Sequence, residues 1–213
     1  MKRCLIVCAG QIEPGDLLDA GLTGQEYIIA ADAGYLACRG LGLTPHVIIG
    51  DFDSAPLPDT GIPVITHPVE KDDTDSMLAV KHGLGLGYTQ FVILGGLGGR
   101  LDHTLANIQT LHYLAQAGGQ GFLHGGNTTL TTVRNGSLTL GRQPGIVSVF
   151  ALDGPCRGVT EQGLYYPLQD AILTGSFPLG VSNFFIEDTA TISVKEGTLL
   201  VALIKESPGT QSL

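Results

Sequence analysis

The sequence predicts an N-terminal doubly wound parallel α/β domain followed by a C-terminal antiparallel β-sandwich. Three observations carry that expectation. Residues 4–99 contain five nearly continuous apolar runs, each ended by Gly, Asp or Pro, as strands buried on both faces of a helix-covered parallel sheet require. A helical period follows directly after Asp102. Beyond about residue 123 the period falls to two and threonine becomes common, the pattern of antiparallel strands.

In chain order the five runs are "CLIVCAG", "YIIAADAG", "HVIIGDFDS", "PVITHPV" and "FVILGGLGG". The first follows Lys2 and Arg3 and looks like a secretory leader. It is interrupted within a few residues by Gln11, Glu13 and Pro14, so a first strand is expected instead. After Asp102, Leu105, Ile108, Leu111, Leu114 and Ala115 form one apolar stripe, stopped by Gly118 and Gly119. The Gly-rich "AGGQGFLHGGN" then marks a boundary, giving expected domains 1–124 and 125–213. "TTLTTVRNGSLTLGR" reads as a hairpin around Asn135-Gly136, because both residues accept positive φ. "GIVSVFAL" follows as a strand, and "TATISVKEGTLLVALIK" reads as a second hairpin turning at Gly197.

Composition narrows the function. With 43% apolar and 15% charged residues in a chain of 213, the protein is globular. A net charge of −9 argues against a nucleic-acid backbone or an anionic membrane as the main partner, yet permits a polyanion bridged by a divalent metal. Cys4, Cys8, Cys38 and Cys156 are scattered without a CxxC pair and read as reduced structural thiols. No stretch approaches a membrane span, and the cytoplasm is the expected compartment.

Ligands of an open parallel sheet sit beyond the carboxyl ends of its strands. That edge receives Asp32 from "AADAG", Asp51 and Asp53 from "GDFDS", Asp72, Thr74 and Asp75 from "EKDDTDS", and Arg100, Asp102 and His103 from "GGLGGRLDH". Asp51 and Asp53 flank Phe52, so alternation turns both carboxylates to one side, where they repel unless a cation joins them. Carboxylates without matching histidines or cysteines suit a hard cation such as Mg²⁺. Taken singly, Asp72 or Asp102 reads as a helix cap. In the glycine loop, Gly96, Gly98 and Gly99 allow close backbone approach, and the helix start offers N–H donors to phosphate. The loop lacks the Gly-Lys-Ser/Thr of a Walker A sequence and is not a dinucleotide fingerprint. Arg100 adds a clamp for phosphate oxygens.

"ADAG", "IIGDFDS", "KDDTDS" and "GGLGGRLDH", in this order and followed by "GLYYPL" and "GVSN", resemble the thiamine pyrophosphokinase (thiamine diphosphokinase) family over nearly the whole chain. The resemblance implies ATP as co-substrate, thiamine as acceptor, and a homodimer with thiamine held between one subunit's nucleotide domain and the partner's sandwich. Carried over by motif, Asp51, Asp53 and Asp75 would hold Mg²⁺. Asp32, Asp72, Thr74, Gly96, Gly98, Gly99, Arg100, Asp102 and His103 would line the nucleotide site. Tyr166 of "GLYYPL" would stack on the thiamine pyrimidine, and Ser182 and Asn183 of "GVSN" would lie beside it. Ala33 and Leu36 stand where many members carry Gly and Asn, and Tyr166 stands where animal enzymes carry tryptophan.

Two other classes share parts of this pattern. "DFDS" has a likeness to the nucleophile motif of haloacid-dehalogenase-like phosphohydrolases, but here it follows the third run, and Ala55 occupies the Thr or Val place. A non-enzymatic binder would capture a small ligand in the sandwich and use the α/β half as a sensor. The reaction product separates the three.

Overall fold

The computed structural model describes residues 2–52, 61–68 and 72–206. The chain forms two compact units, Met1–Gly126 and Asn127–Leu213. In the first, six strands run parallel: β1 (Arg3–Val7), β2 (Tyr27–Ala31), β3 (Val47–Gly50), β4 (Val64–Thr66), β5 (Gln90–Leu94) and β6 (Gln120–Gly125). Their order is β6-β5-β1-β2-β3-β4. Helices α1 (Pro14–Ala20), α2 (Gly34–Gly40), α3 (Asp75–Gly85) and α4 (Leu101–Gln116) lie between them in the chain.

Leu5, Val7, Ala30, Ile48, Val92 and Leu94 pack with Ala20 of α1 and Cys38 of α2 on one face. Alternation sends Cys4, Ile6, Ile29, Phe91 and Ile93 to the other, all at most 1% exposed. There α3 comes so near that a Cβ on Gly83 would lie 2.7 Å from the Phe91 ring. Helices on both faces make the sheet doubly wound, as its apolar runs predict. Each fully buried Leu, Ile or Phe contributes on the order of 2 kcal/mol, so the strands hold the scaffold beneath the site.

The Gly-rich stretch around residue 121 is strand β6, and the two units divide at its end, between Gly126 and Asn127; its glycines let α4 lie close, a Cβ on Gly121 falling 2.7 Å from Leu114. The buried side of α4 is Asn107, Thr110, Leu111 and Leu114, while Leu105 is 54% exposed. The apolar stripe therefore marks the helix correctly but sets its inward face about one residue type too greasy, because two polar residues turn in to make hydrogen bonds.

The second unit is a pair of antiparallel sheets. One has the order β12-β9-β14-β7, from β7 (Thr128–Arg134), β9 (Ile146–Ala151), β12 (Gly180–Asn183) and β14 (Thr198–Ile204). The other has the order β11-β10-β13-β8, from β8 (Ser137–Gly141), β10 (Cys156–Gln162), β11 (Leu168–Leu173) and β13 (Thr189–Ser193). Val149, Val159, Leu164, Leu173, Ile192, Leu199 and Val201 share one buried core.

Neither expected hairpin is a pair of hydrogen-bonded neighbours. β7 pairs with β14, and β8 pairs with β13. Asn135-Gly136 and the Gly197 turn instead carry two strands side by side from one sheet to the other. They grip each other there: the Asn135 N–H donates to Gly197 O at 3.2 Å, Gly197 N–H donates to Asn135 Oδ1 at 2.9 Å, and Val194 N–H donates to Gly136 O at 2.9 Å. Corners where strands change sheets are a standard device of sandwiches, and Asn135, at φ 44°, supplies the left-handed residue this one needs.

Candidate active site

Strand order places a topological switch beside β1, where the chain, having built β2, β3 and β4 to one side, returns to build β5 and β6 on the other. Ligand crevices form beyond the carboxyl ends at such a point. The loops after β1 and β5 meet there. Cys8 N–H donates to Leu94 O at 2.8 Å and Gly10 N–H to Gly95 O at 2.9 Å. A Cβ on Gly10 would lie 2.4 Å from Gly95 O, so this position admits only glycine without a shift.

Three carboxylates converge at the same edge. Asp32 follows β2, Asp51 follows β3 and Asp75 opens α3, and each offers an oxygen within 4.8 Å of the others. Parallel pairing of Ala31 with Ile49 brings the first two strand ends level. Asp32 takes φ 46° and donates its N–H to Ile49 O at 2.7 Å. Gly50 makes room for it, since a Cβ there would sit 2.9 Å from the Asp32 Cα. Thr74 caps α3, its hydroxyl accepting from Met77 N–H at 3.3 Å, which fixes Asp75 in the first turn. All three carboxylates are half-buried, and the donors are oxygens alone, a set that fits a hard divalent cation. Asp53 lies outside the described residues. Asp32, assigned to the nucleotide by motif, thus joins Asp51 and Asp75.

Neighbouring groups are accounted for differently. Asp72 and Thr74 are exposed. Asp73 is bound to Lys81, Nζ to Oδ2 at 2.6 Å, and that ammonium also lies 5.5 Å from the Tyr113 ring centroid. Cys8 faces the carboxylates as an inert thiol: burial pushes it up to about 12, with the Asp75 and Cys38 charges adding. All four cysteines are free and buried.

The glycine loop leaves β5 and enters α4. Gly98 and Gly99 have φ of 88° and 65°, so the left-handed backbone itself requires glycine there. Gly96 is buried, and its carbonyl accepts from Asn107 Nδ2 at 2.7 Å. Arg100 occupies the N-cap of α4 and grips Asp102 with Nε on Oδ1 at 3.1 Å and Nη2 on Oδ2 at 2.5 Å. The Arg100 hydrogen bond holds the Asp102 carboxyl down at about 2 against desolvation, with the His103 N–H and the neighbouring charges adding. Arg100, Asp102 and His103 are all exposed, open to a polyphosphate. Ser76, the last residue of "KDDTDS", and Asn107, which lies outside the motifs, link α3 to this loop through a 2.6 Å hydrogen bond.

In the second unit Tyr165, Tyr166 and Phe184 form an exposed aromatic group. Tyr165 stacks on Phe184 with centroids 4.8 Å apart, and Tyr166 meets Tyr165 edge-on at 4.8 Å. Asn183 holds this group from beneath. Its Oδ1 accepts from Tyr166 N–H (2.9 Å) and Phe184 N–H (3.0 Å), and its Nδ2 donates to Tyr166 O (2.9 Å) and Glu161 Oε2 (3.1 Å). Every position of that buried amide is used. Ser182 is exposed at φ 62° in an irregular stretch of β12, its N–H on Ser148 Oγ at 3.1 Å. Glu161, beneath Asn183, is 1% exposed, and its carboxyl is pushed up to about 7 by desolvation, partly opposed by the Asn183 hydrogen bond.

A parallel sheet with clustered carboxylates and a glycine loop at its switch point, carried on one chain with an antiparallel sandwich, is the plan of an ATP-dependent transferase. Residues 20–121 match the family model for the thiamin pyrophosphokinase catalytic domain, and residues 139–199 match that for its vitamin B1 binding domain. The chain belongs to the thiamin pyrophosphokinase family. It is 27% identical over 212 residues to the thiamine pyrophosphokinase of Bacillus subtilis (strain 168), covering 94% of this chain and 98% of that one. Thiamin pyrophosphokinase 1 of Caenorhabditis elegans is 36% identical over 74 residues, 32% of this chain and 30% of that protein. The crystal structure of the B. subtilis enzyme superposes with a TM-score of 0.86 at 25% identity, covering 97% of this chain and 100% of the other. That from Geobacillus thermodenitrificans gives 0.84 at 26% identity, covering 98% and 100%.

Proposed function

We propose that this chain transfers the pyrophosphoryl group of ATP to the thiamine hydroxyl with Asp32, Asp51 and Asp75 seating Mg²⁺ at the switch point. The convergence of those three carboxylates within 4.8 Å carries the assignment. Oxygens bound to Mg²⁺ at about 2.1 Å lie about 3.0 Å apart when adjacent and about 4.2 Å when opposite, so the side chains would draw in to seat the ion. The motif resemblance adds Asp53 to the set. When bound, the ion neutralises phosphate oxygens.

The hydroxyl oxygen of thiamine attacks the β-phosphorus and gives up its proton to solvent, the bond from that phosphorus to the α–β bridging oxygen breaks, and AMP leaves as thiamine diphosphate forms. The protein's part is alignment and charge. Arg100, held by Asp102, presents its remaining guanidinium N–H groups to the phosphates as charge develops there. Gly96, Gly98 and Gly99 let the backbone approach the nucleotide, and Asp72, Thr74 and His103 border it. Tyr166 offers a ring face to the pyrimidine, with Ser182 beside it and Asn183 fixing the Tyr166 backbone. The reading includes a homodimer, supported by the exposed apolar side chains Tyr166, Phe177 and Ile186 at 60%, 65% and 49%. It also includes a cytoplasmic enzyme, supported by four free buried thiols. No helix among the described residues is long and apolar enough to cross a membrane.

Incubation with ATP, Mg²⁺ and thiamine yields AMP and thiamine diphosphate in equal amounts. ADP or free phosphate as the nucleotide-derived product refutes the reading. Asp51→Asn lowers turnover by about 10³-fold with an unchanged circular-dichroism spectrum; near-normal turnover refutes the carboxylate assignment.

A further inference from the structure

Between the carboxylate cluster and the glycine loop runs a hydrogen-bond chain whose middle member, Asn107, lies outside both motifs. Thr74 Oγ1 and Ser76 Oγ are 3.1 Å apart, Ser76 Oγ donates to Asn107 Oδ1 at 2.6 Å, and Asn107 Nδ2 donates to Gly96 O at 2.7 Å. Ser76 has one hydroxyl proton, committed to Asn107, so the Thr74 hydroxyl donates to Ser76 while its lone pair accepts from Met77 N–H. The direction is therefore fixed from end to end. Ser76 and Asn107 are 8% and 5% exposed, where an unmade hydrogen bond carries its full desolvation cost.

The placement of the two ends gives the chain its meaning. Ser76 directly follows Asp75 in the first turn of α3. Gly96 sits two residues before the left-handed Gly98 and Gly99. Asn107 approaches Gly96 so closely that a Cβ there would lie 2.9 Å from Nδ2. An apolar side chain at residue 107 would pack against the same helix without these demands. A buried amide there fixes one distance, that between the Asp75 end of α3 and the loop backbone.

We propose that Asn107 and Ser76 are positioning residues that hold the carboxylate cluster and the phosphate-binding loop in register for ATP; this rests on the functional reading above. They touch no reacting atom. Loosening the chain lets the two halves of the nucleotide site drift apart while leaving the acceptor site as it was. The signature is selective: nucleotide affinity falls and thiamine recognition does not.

The test uses the full-length enzyme. Binding of the α,β-methylene analogue of ATP, which cannot be cleaved at the bond in question, is measured by calorimetry in magnesium buffer, alongside steady-state kinetics. Ser76→Ala weakens analogue binding about tenfold and raises the KM for ATP by a like factor, with the KM for thiamine within twofold of wild type. Asn107→Leu does the same more severely. If Asn107→Leu fails to fold, Ser76→Ala, which deletes a single oxygen, decides alone. A folded Ser76→Ala enzyme that binds the analogue within twofold of wild type, or loses thiamine and ATP affinity equally, overturns the proposal. A wild-type enzyme that releases no AMP refutes the parent reading instead, so the two failures are distinct.

Discussion

Replacing Glu161 with glutamine makes the protein's stability less sensitive to pH. Glu161 sits in β10 at 1% exposure, in register with Leu168 and Ile192, and its Oε1 has no hydrogen-bond partner. Burial raises its pKa from 4.5 to about 7 in the folded protein. Below about pH 4.5 the carboxyl is protonated folded or unfolded, and it costs nothing differential. As pH rises from there towards 7, the unfolded chain gives up the proton that the folded chain keeps, and stability declines. Above 7 the full penalty stands at about 3 kcal/mol. Glutamine does not titrate and still offers an oxygen to Asn183, although its NH₂ then lacks an acceptor at a cost of about 1 kcal/mol. Urea denaturation of both proteins between pH 4.5 and 8, followed by circular dichroism, isolates the difference. Glu161→Gln is the less stable at pH 4.5 and the more stable at pH 8, with the gap moving by about 3 kcal/mol across the range. Parallel pH profiles for the two proteins refute a carboxyl held neutral by burial.

Two further outcomes come from the same geometry. Asn183→Ala strips the partners from the Tyr166 and Phe184 backbones, and raises the KM for thiamine at least tenfold with the KM for ATP unchanged, read from kinetics with each substrate varied in turn. Gly34→Ala puts a Cβ 2.0 Å from Val7 O, so α2 is pushed from β1; thermal denaturation shows a loss of about 2 kcal/mol, and an unchanged melting temperature contradicts the contact.

Much of the first unit can be read from residues alone because its inner strands are buried on both faces. Runs such as "VIIG" have no polar alternative to confuse the period, and those of β2 and β3 lead directly into Asp32 and Asp51. β6 escapes this logic: its glycines are chosen by the nearness of Leu111 and Leu114, a tertiary fact. Asn135-Gly136 is recognisable as a turn, but local sequence cannot tell a turn between paired strands from one between sheets, since the partner residues of β7 lie 64 to 76 positions on. The carboxylate cluster is legible as a gathering at one edge. Which three members meet depends on β2 and β3 being neighbours, and that brings in Asp32. Ser76 and Asn107 are 31 residues apart in sequence, and an asparagine near an apolar helical stripe is the one local sign of their link. Glu161 shares inward parity with Val159 in β10, a signal obscured by the irregular register around Gly158.

The crossing at Asn135-Gly136 and Gly197 gives the second unit a particular assembly order. Because β7 and β8 together lie along β14 and β13, the unit is one creased ribbon, and its two layers are halves of the same strip. Peeling one layer away would tear the strip at its crease. The ribbon closes only once residues from 128 to 141 find those from 189 to 204, contacts of large sequence separation that slow folding.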